Sequence, residues 1–240
     1  MNTNSAIRDE HSVGKAGAPE SDPQPTAIFD LDGTLLDGDS TGRWMRELLT
    51  QSWPRGAAAL LIAPVACTML LFPTLRRNGA SAFLWIATVG MDEPALRRSL
   101  NDFAARFGAG TTSLKWRAGG LVALEDHLKK RHRVAVVTAA PTLLAEALLS
   151  PWAPSVAVLG SSLKRFAGGW VGDRHCRGEE KCVCLAERGY PDRWAFAYTD
   201  SRDDRPLLER AERPFLVNAS AEQLAKLRKM GLTLLEGLSW

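Results

Sequence analysis

The chain has 240 residues, which is enough for one large domain or for a core domain with a smaller insert. Hydrophobic residues make up 45% of the sequence, so a substantial core can be buried. The 30 basic and 27 acidic residues give a net charge of only +3. This balance argues against a nucleic-acid-binding protein, and the small surplus fits an anionic substrate or an anionic membrane surface.

The first 25 residues are polar and contain glycine, proline, serine and charges of both signs. We predict that residues 1–25 form a disordered tail, because little of this segment can be buried. It lacks the apolar stretch of a signal peptide, so we expect the four cysteines to be reduced thiols in a cytosol. The spacing of Cys176, Cys182 and Cys184 does not match a usual zinc site.

The first predicted strand covers residues 26–31, which are apolar and β-prone, and a turn follows at residues 32–34. The pattern then becomes helical, and we expect Ser40 to cap the first helix. Helices are predicted over residues 41–49, 81–89 and 95–107. Because this region shows no strand pattern, residues 39–118 are predicted to form an all-helical cap inserted after the first strand.

The cap contains an apolar segment, residues 56–75, with no charged side chain. Twenty such residues are nominally long enough to cross the hydrocarbon core of a membrane. Pro64 lies near the middle, and this also suits two short cap helices buried as a hairpin. The sequence leaves both interpretations open. Three arginines flank the segment and could meet anionic headgroups, namely Arg55, Arg76 and Arg77.

Helices and strands alternate in the second half of the chain. Helices are predicted over residues 121–131, 141–150, 179–188, 206–212 and 221–230, strands over 133–138, 156–159, 195–199 and 215–218, and a hairpin over 164–172. This alternation predicts an α/β fold with a Rossmann-like, mostly parallel sheet and helices on both faces. The core domain is expected to comprise residues 26–38 and 119–240.

Polar side chains follow several predicted strands at their carboxyl ends, where open α/β sheets bind ligands. The first strand leads into Asp30 and Asp32, a later strand ends at Thr138, and another is followed by Asp200. Lys181 lies at the start of the helix that precedes this last strand. Separate segments therefore bring acids, a hydroxyl and an ammonium group to one edge of the sheet.

Each of these groups has a task in phosphoryl transfer. The Asp30 carboxylate can attack phosphorus and form an aspartyl phosphate. Asp32 can protonate the leaving oxygen and then take a proton from the water that cleaves the intermediate. Thr138 can donate a hydrogen bond to a phosphoryl oxygen, and Lys181 can neutralise charge.

A Mg²⁺ cofactor is expected at this edge, because Mg²⁺ prefers carboxylate oxygens and otherwise keeps its waters. The predicted ligands are Asp30, Asp32 and Asp200, and the predicted supporting residues are Gly33, Thr34 and Asp204. Gly33 lets the chain turn so that both acids face the site. Asp203 competes with Asp204 for the supporting role, since either residue could cap a helix.

In this order, these residues resemble the four motifs of the haloacid dehalogenase superfamily over about residues 26–220. The motifs correspond to residues 30–34, Thr138, Lys181 and residues 200–204. True dehalogenases of that superfamily lack the second acid, so the resemblance implies that Asp32 marks a phosphatase. The helical insert is similar to the cap of the phosphoserine-phosphatase-like members.

The chain also resembles the bacterial phosphatidylglycerophosphatase C group. The resemblance is carried by residues 83–85, 168–170, 176–181 and 199–208, although Thr199 replaces a more usual Gly or Ser. It implies a phosphorylated lipid substrate, phosphatidylglycerol phosphate, in phospholipid biosynthesis at the cytoplasmic face of the bacterial inner membrane. Residues 56–75 would then contact that membrane.

Other functions stay open at this point. A soluble cytoplasmic phosphatase of small molecules, such as a phosphoserine phosphatase, would bury residues 56–75 inside the cap. An enzyme of the same chemistry could transfer the phosphoryl group to an alcohol instead of water. A non-catalytic, membrane-associated interaction protein on the same scaffold is disfavoured by the intact set of acids, hydroxyl and lysine.

Overall fold

The computed structural model describes residues 24–72 and 74–240. The predicted disordered tail lies outside the described residues, apart from Gln24 and Pro25, and stays a prediction. The helices are α1 Ser40–Gln51, α2 Trp53–Leu71, α3 Arg76–Thr88, α4 Glu93–Gly108, α5 Ala118–Lys129, α6 Thr142–Leu149, α7 Glu179–Glu187, α8 Arg205–Glu209 and α9 Ala221–Lys229. The strands are β1 Thr26–Phe29, β2 Arg133–Pro141, β3 Ala157–Ser161, β4 Leu163–Phe166, β5 Gly169–Gly172, β6 Trp194–Thr199, β7 Ala211–Val217 and β8 Glu236–Leu238.

A parallel sheet of six strands forms the centre of the described structure, in the order β3-β2-β1-β6-β7-β8. The predicted hairpin is present as the antiparallel pair β4-β5. β1 pairs with β2 on one side and with β6 on the other, although these three strands are far apart in sequence. The order in which strands are added to the sheet therefore reverses at β1, and a ligand crevice is expected beyond the carboxyl end of this strand.

Both faces of the sheet are covered by helices, as predicted. Ala27 and Phe29 belong to one buried apolar cluster, whereas Ile28 between them belongs to the other. Successive side chains of a strand point to opposite faces, so the two clusters lie on opposite sides of the sheet. All three side chains are fully buried, and this explains why β1 reads as a continuous apolar run instead of an alternating one.

Helices α1 to α4 lie consecutively between β1 and β2, in agreement with the predicted helical insert. The predicted cap of α1 was wrong by one residue. Asp39 is the N-cap, and its carboxylate accepts a hydrogen bond from Gly42 N at 2.9 Å. The exact domain boundaries stay a prediction.

Most of the apolar segment forms α2, one continuous helix that passes through Pro64. The interpretation of two short helices within the segment was therefore wrong. The proline ring removes the backbone hydrogen bond that residue 64 would donate to residue 60. One turn later, Thr68 Oγ1 donates to the Pro64 carbonyl at 2.7 Å. α2 packs mainly against α3, so the hairpin partner of the apolar helix is the next helix in the sequence.

Candidate active site

Asp30 lies directly beyond β1, at the carboxyl edge of the sheet. Its backbone N donates to the carbonyl of Tyr198 in β6 at 2.9 Å, which fixes the main chain at this point. The residue as a whole is only 5% exposed. Burial raises the pKa of Asp30 to about 6, although the nearby Lys181 ammonium opposes this shift.

Lys181 is a buried ammonium held between two carboxylates. Its Nζ donates to Asp30 Oδ1 and to Asp204 Oδ2, each at 2.6 Å. Burial lowers the pKa of Lys181, but the two carboxylates outweigh this effect and raise it overall. Thr199 Oγ1 also donates to Asp204 Oδ2, at 2.7 Å. The structure thus places Asp204, and not Asp203, beside the lysine.

The turn after Asp30 connects it with Asp200, at the end of β6. Thr34 Oγ1 donates weakly to Asp30 Oδ2 at 3.4 Å and accepts from Asp200 N at 2.9 Å. Gly33 has a φ of +80°, and a Cβ there would lie 2.1 Å from Asp200 Oδ2. A side chain at position 33 would therefore be strained and would also displace the Asp200 carboxylate.

Asp32 is held against the start of the cap. Its Oδ1 accepts from the backbone N of Ser40 at 3.0 Å, at the first residue of α1. Burial raises the pKa of Asp32 to about 7, and the backbone hydrogen bond from Ser40 limits the rise. A carboxyl group whose pKa lies near neutrality can both give and take a proton, and Asp32 lines the same cavity as Asp30.

Thr138 is fully buried within β2, which runs on to Pro141 instead of ending at residue 138 as predicted. The register between β2 and β3 shifts between Val137 and Pro141. Such an irregularity re-aims side chains locally. Thr138 Oγ1 accepts from Ala140 N at 3.1 Å and lines the same cavity as Asp30.

A cavity of about 670 Å³ connects these residues with the cap. One end contains the predicted site residues Asp30, Asp32, Thr138, Lys181, Asp200 and Asp204. The walls include cap residues Met45, Leu70, Ala80 and Leu84, and basic residues Arg174, His175 and Arg177. We did not assign these wall residues from the sequence, although three basic side chains within residues 174–177 were a usable signal.

The charges at the acidic end fit a divalent cation. Four carboxyl groups belong to Asp30, Asp32, Asp200 and Asp204, whereas Lys181 supplies the buried positive charge. Burial also raises the pKa of Asp200. Excess negative charge in a buried site is costly without a cation.

The donor set suits Mg²⁺ better than a metal that needs a full cage of side chains. Across residues 24–72 and 74–240, no group of three or more His, Cys, Asp or Glu side chains is arranged to hold a metal. Mg²⁺ needs only one or two carboxylates, together with waters and substrate phosphate. Asp30 and Asp200 would supply these carboxylates. The four cysteines are free thiols.

Comparison with known proteins fixes the family. Residues 27–209 match the haloacid dehalogenase-like hydrolases. The chain belongs to this family. The predicted superfamily and the prediction of an enzyme of this type are thereby confirmed.

The fold is shared with several solved structures. A protein of unknown function from Bordetella pertussis Tohama I is 21% identical over 90% of this chain and 98% of that chain, with a TM-score of 0.68. A phosphoserine phosphatase, solved as a phospho-aspartyl intermediate analogue, is 13% identical over 90% of this chain and 93% of that chain (TM-score 0.55). A phosphoserine phosphohydrolase-like protein from Francisella tularensis subsp. tularensis SCHU S4 is 15% identical over 80% and 87%, respectively (TM-score 0.53). At these identities the likeness concerns the fold alone.

Proposed function

We propose that this hydrolase is a Mg²⁺-dependent phosphatase that acts through an aspartyl phosphate on Asp30. The observation that carries the proposal is the pairing of Asp30 with Lys181 in a cavity that also contains a second acid, Asp32. Lys181 orients the nucleophile through Oδ1, and within residues 24–72 and 74–240 Oδ2 has only the long contact from Thr34. This second oxygen is therefore the one that we assign to attack.

In the first half-reaction, an Asp30 oxygen forms a bond to phosphorus as the bond from phosphorus to the leaving oxygen breaks. Asp32 gives its proton to that oxygen, and the alcohol departs. In the second half-reaction, Asp32 takes a proton from a water molecule as the water attacks phosphorus, which releases inorganic phosphate and restores Asp30. Transfer to an alcohol instead of water would share the first half-reaction.

Charge stabilisation accompanies both half-reactions. The Thr138 hydroxyl can donate to a phosphoryl oxygen, and the Lys181 ammonium neutralises charge between nucleophile and phosphate. Asp204 and Thr199 keep the ammonium in place. Mg²⁺, held by Asp30 and Asp200, would neutralise the repulsion between carboxylate and phosphate. Asp32 remains its third predicted ligand.

The substitution Asp30→Asn tests this assignment. We expect kcat for p-nitrophenyl phosphate with Mg²⁺ to fall by roughly 10³-fold or more, because the amide is not a nucleophile. Asp92→Asn is the matched control, since Asp92 caps α4 and asparagine caps equally well. Unchanged turnover in Asp30→Asn, or equal losses in both variants, would refute the nucleophile.

For the substrate, we propose a phosphorylated lipid, and phosphatidylglycerol phosphate is the one that the sequence resemblance implies. The supporting observation is the outer face of α2, which consists of Trp53, Leu60, Leu61, Val65, Leu71 and the following Phe72. These side chains are 54–84% exposed. α2 has 19 residues and a mean hydropathy of 1.6, so it is long and apolar enough to cross a membrane. Exposed apolar patches of this kind mark interaction surfaces.

The same helix also reaches the cavity. Leu70 on α2 and Ala80 and Leu84 on α3 contribute to the cavity wall. If the outer face of α2 enters a lipid surface, by lying on it or by crossing it, the cavity lies next to the phospholipid headgroups. This arrangement favours a membrane surface as the place of action, and the sequence resemblance implies the cytoplasmic face.

A soluble phosphatase of small phosphate esters, such as phosphoserine, is the second candidate. It is supported by the fold shared with phosphoserine phosphatases. Steady-state kinetics with detergent-solubilised phosphatidylglycerol phosphate and with phosphoserine would separate the two. A higher kcat/KM on the lipid supports the first candidate, and fast turnover of phosphoserine without turnover of the lipid supports the second. Failure to hydrolyse any phosphate ester would leave the non-catalytic interaction protein.

A further inference from the structure

One wall of the cavity is basic and has no role in the chemistry described above. Arg174, His175 and Arg177 lie in the loop between β5 and α7 and line the cavity that contains Asp30 and Lys181. The cavity lining therefore contains basic side chains as well as the acidic site residues. The phosphate ester undergoing hydrolysis belongs to the acidic end, where the cation and Lys181 would hold it.

The basic loop is fixed to the sheet by hydrogen bonds. Ser161, at the end of β3, accepts from Cys176 N at 3.0 Å and donates to the carbonyl of Ala139 in β2 at 2.7 Å. The backbone N of Arg174 donates to Ser162 Oγ at 3.0 Å. The loop therefore presents its basic side chains from a defined backbone, which lowers the entropic cost of binding.

Ion pairs orient the guanidinium groups of Arg174 and Arg177, and each pair uses only some of the N–H donors. Arg177 donates from both Nε and Nη2 to a single oxygen, Oδ2 of Asp203, so Nη1 takes no part in that pair. Arg174 uses Nε for Glu180 and Nη1 for Glu187. Both arginine side chains remain 38–39% exposed. A guanidinium carries five donors in a fixed fork, so an oriented arginine can still bind another anion.

We infer that the loop of Arg174, His175 and Arg177 binds a second anionic group of the substrate, separate from the phosphate ester that is hydrolysed. This inference rests on the proposed phosphatase activity and narrows its substrates to esters with two anionic groups. Without these basic side chains, the carboxylates of the site would repel such a molecule. The second group can be the phosphodiester of a phosphorylated glycerophospholipid or the carboxylate of an amino-acid phosphate, since both match the guanidinium fork.

Two substrate pairs distinguish these sources. Glycerophosphoglycerol phosphate, the water-soluble deacylated form of the lipid substrate, is compared with glycerol 3-phosphate, which lacks the phosphodiester. Phosphoserine is compared with phosphoethanolamine, which lacks the carboxylate. In the wild type we expect a higher kcat/KM for the doubly anionic member of one pair, and the pair concerned identifies the second anion.

The substitution Arg177→Gln then tests the loop. We expect the KM for the preferred doubly anionic substrate to rise roughly tenfold or more, because a charge-assisted contact is lost. The KM for its singly anionic partner should rise far less, so the preference between them shrinks. Arg98→Gln is the control, since Arg98 is an exposed arginine on α4 and does not line the cavity.

Asp203→Asn separates anion binding from loop structure. It breaks the ion pair with Arg177 but keeps the guanidinium, so the preference for the second anion should persist. Three results would overturn the inference. In Arg177→Gln, KM could rise equally for both members of a pair, or Asp203→Asn could show the same KM increases as Arg177→Gln. The wild type could also show no preference in either pair. If p-nitrophenyl phosphate is hydrolysed, such a result refutes the second anion site alone. If no phosphate ester is hydrolysed, the proposed function fails and the inference fails with it.

Discussion

The two acids after β1 have the same side chain but different surroundings. Asp30 contacts an ammonium, whereas Asp32 contacts a backbone N–H at the start of the cap. In the proposed mechanism, these local contacts distinguish the nucleophile from the general acid. The sequence could predict both acids, because they follow a buried strand and precede a Gly-Thr turn. It could not predict the contact with Ser40, which depends on how α1 begins.

The distinct role of Asp32 predicts a dependence on the leaving group. In Asp32→Asn, hydrolysis of an alkyl phosphate should slow by about 10²- to 10⁴-fold, because the poor leaving group needs a proton. p-Nitrophenolate leaves without a proton, so the first half-reaction should stay fast. Hydrolysis of the aspartyl phosphate should then become the rate-limiting step. Stopped-flow absorbance should therefore show a burst of about one nitrophenolate per enzyme, followed by slow turnover. Equal losses on both substrates without a burst would contradict the assignment.

Gly33 predicts a second effect at this scale. In Gly33→Ala the new Cβ would lie 2.1 Å from Asp200 Oδ2. The alanine would also have to adopt a φ of +80°, which is strained for a residue with a side chain. We expect kcat/KM to fall by about 10²-fold or more, because a small displacement of a reacting group has that cost. The matched control is Gly90→Ala, where φ is +82° and no atom lies within 4 Å of the added Cβ. Both variants should lose about 1–2 kcal/mol of stability in denaturant titrations, since both strain the backbone. Equal activity in the two variants would remove Gly33 from the site.

At the scale of elements, sequence patterns predicted most helices and strands but not their partners. The alternating second half predicted the parallel sheet, since the predicted strands outside the hairpin are short and apolar and have a helix between one and the next. β8 was missed, because three residues containing a glycine carry no strand signal until β7 pairs with them. The absence of charged side chains in residues 56–75 predicted an apolar segment, but it did not predict that α2 is one continuous helix. Whether its outer face is covered depends on tertiary packing, which periodicity does not specify.

The exposed face of α2 predicts reversible or integral binding to lipid. In flotation assays with anionic phospholipid vesicles, we expect the wild type to float and the triple variant Leu60→Ser/Leu61→Ser/Val65→Ser to stay in solution. The three side chains are 77%, 82% and 67% exposed, so their replacement should leave the core intact. Val122→Ser, at a position 68% exposed on α5, controls for a general loss of surface hydrophobicity. Flotation of both variants to the same degree would exclude this face as the membrane contact.

At the scale of the whole molecule, the order of residues along the chain already implied one site. The carboxyl ends of parallel strands meet at one edge, so Asp30, Thr138 and Asp200 had to lie near each other once the sheet was predicted. The walls of the cavity could not be derived in this way. They come from the packing of cap helices and of the β5–α7 loop over that edge, and they contain the residues that we propose for substrate recognition.

The buried His127 couples the stability of the whole fold to pH. It lies on α5 against the sheet, where its Nε2 is 3.0 Å from the Tyr198 hydroxyl and its Nδ1 is 2.7 Å from His132 Nδ1. Burial lowers the pKa of His127 from 6.5 to about 4, and the neighbouring His132 adds to this shift. In the pH range between these two values, the unfolded chain binds the proton more readily than the folded chain. The contribution of His127 to stability is therefore fully present above pH 6.5 and is lost as the pH falls toward 4.

This linkage can be measured by urea unfolding at pH 7 and pH 5. The difference in free energy of unfolding between the wild type and His127→Gln reports the titration of His127 and its coupling to His132, because the other titrating residues are common to both proteins. We expect this difference to shift by about 2 kcal/mol between the two pH values, with the wild type losing more stability on acidification. The sign follows from the lowered pKa, since a histidine that must stay neutral in the core opposes folding when it is protonated. A constant difference across this range would mean that His127 accepts a proton without unfolding, through a rearrangement of its contacts with Tyr198 and His132.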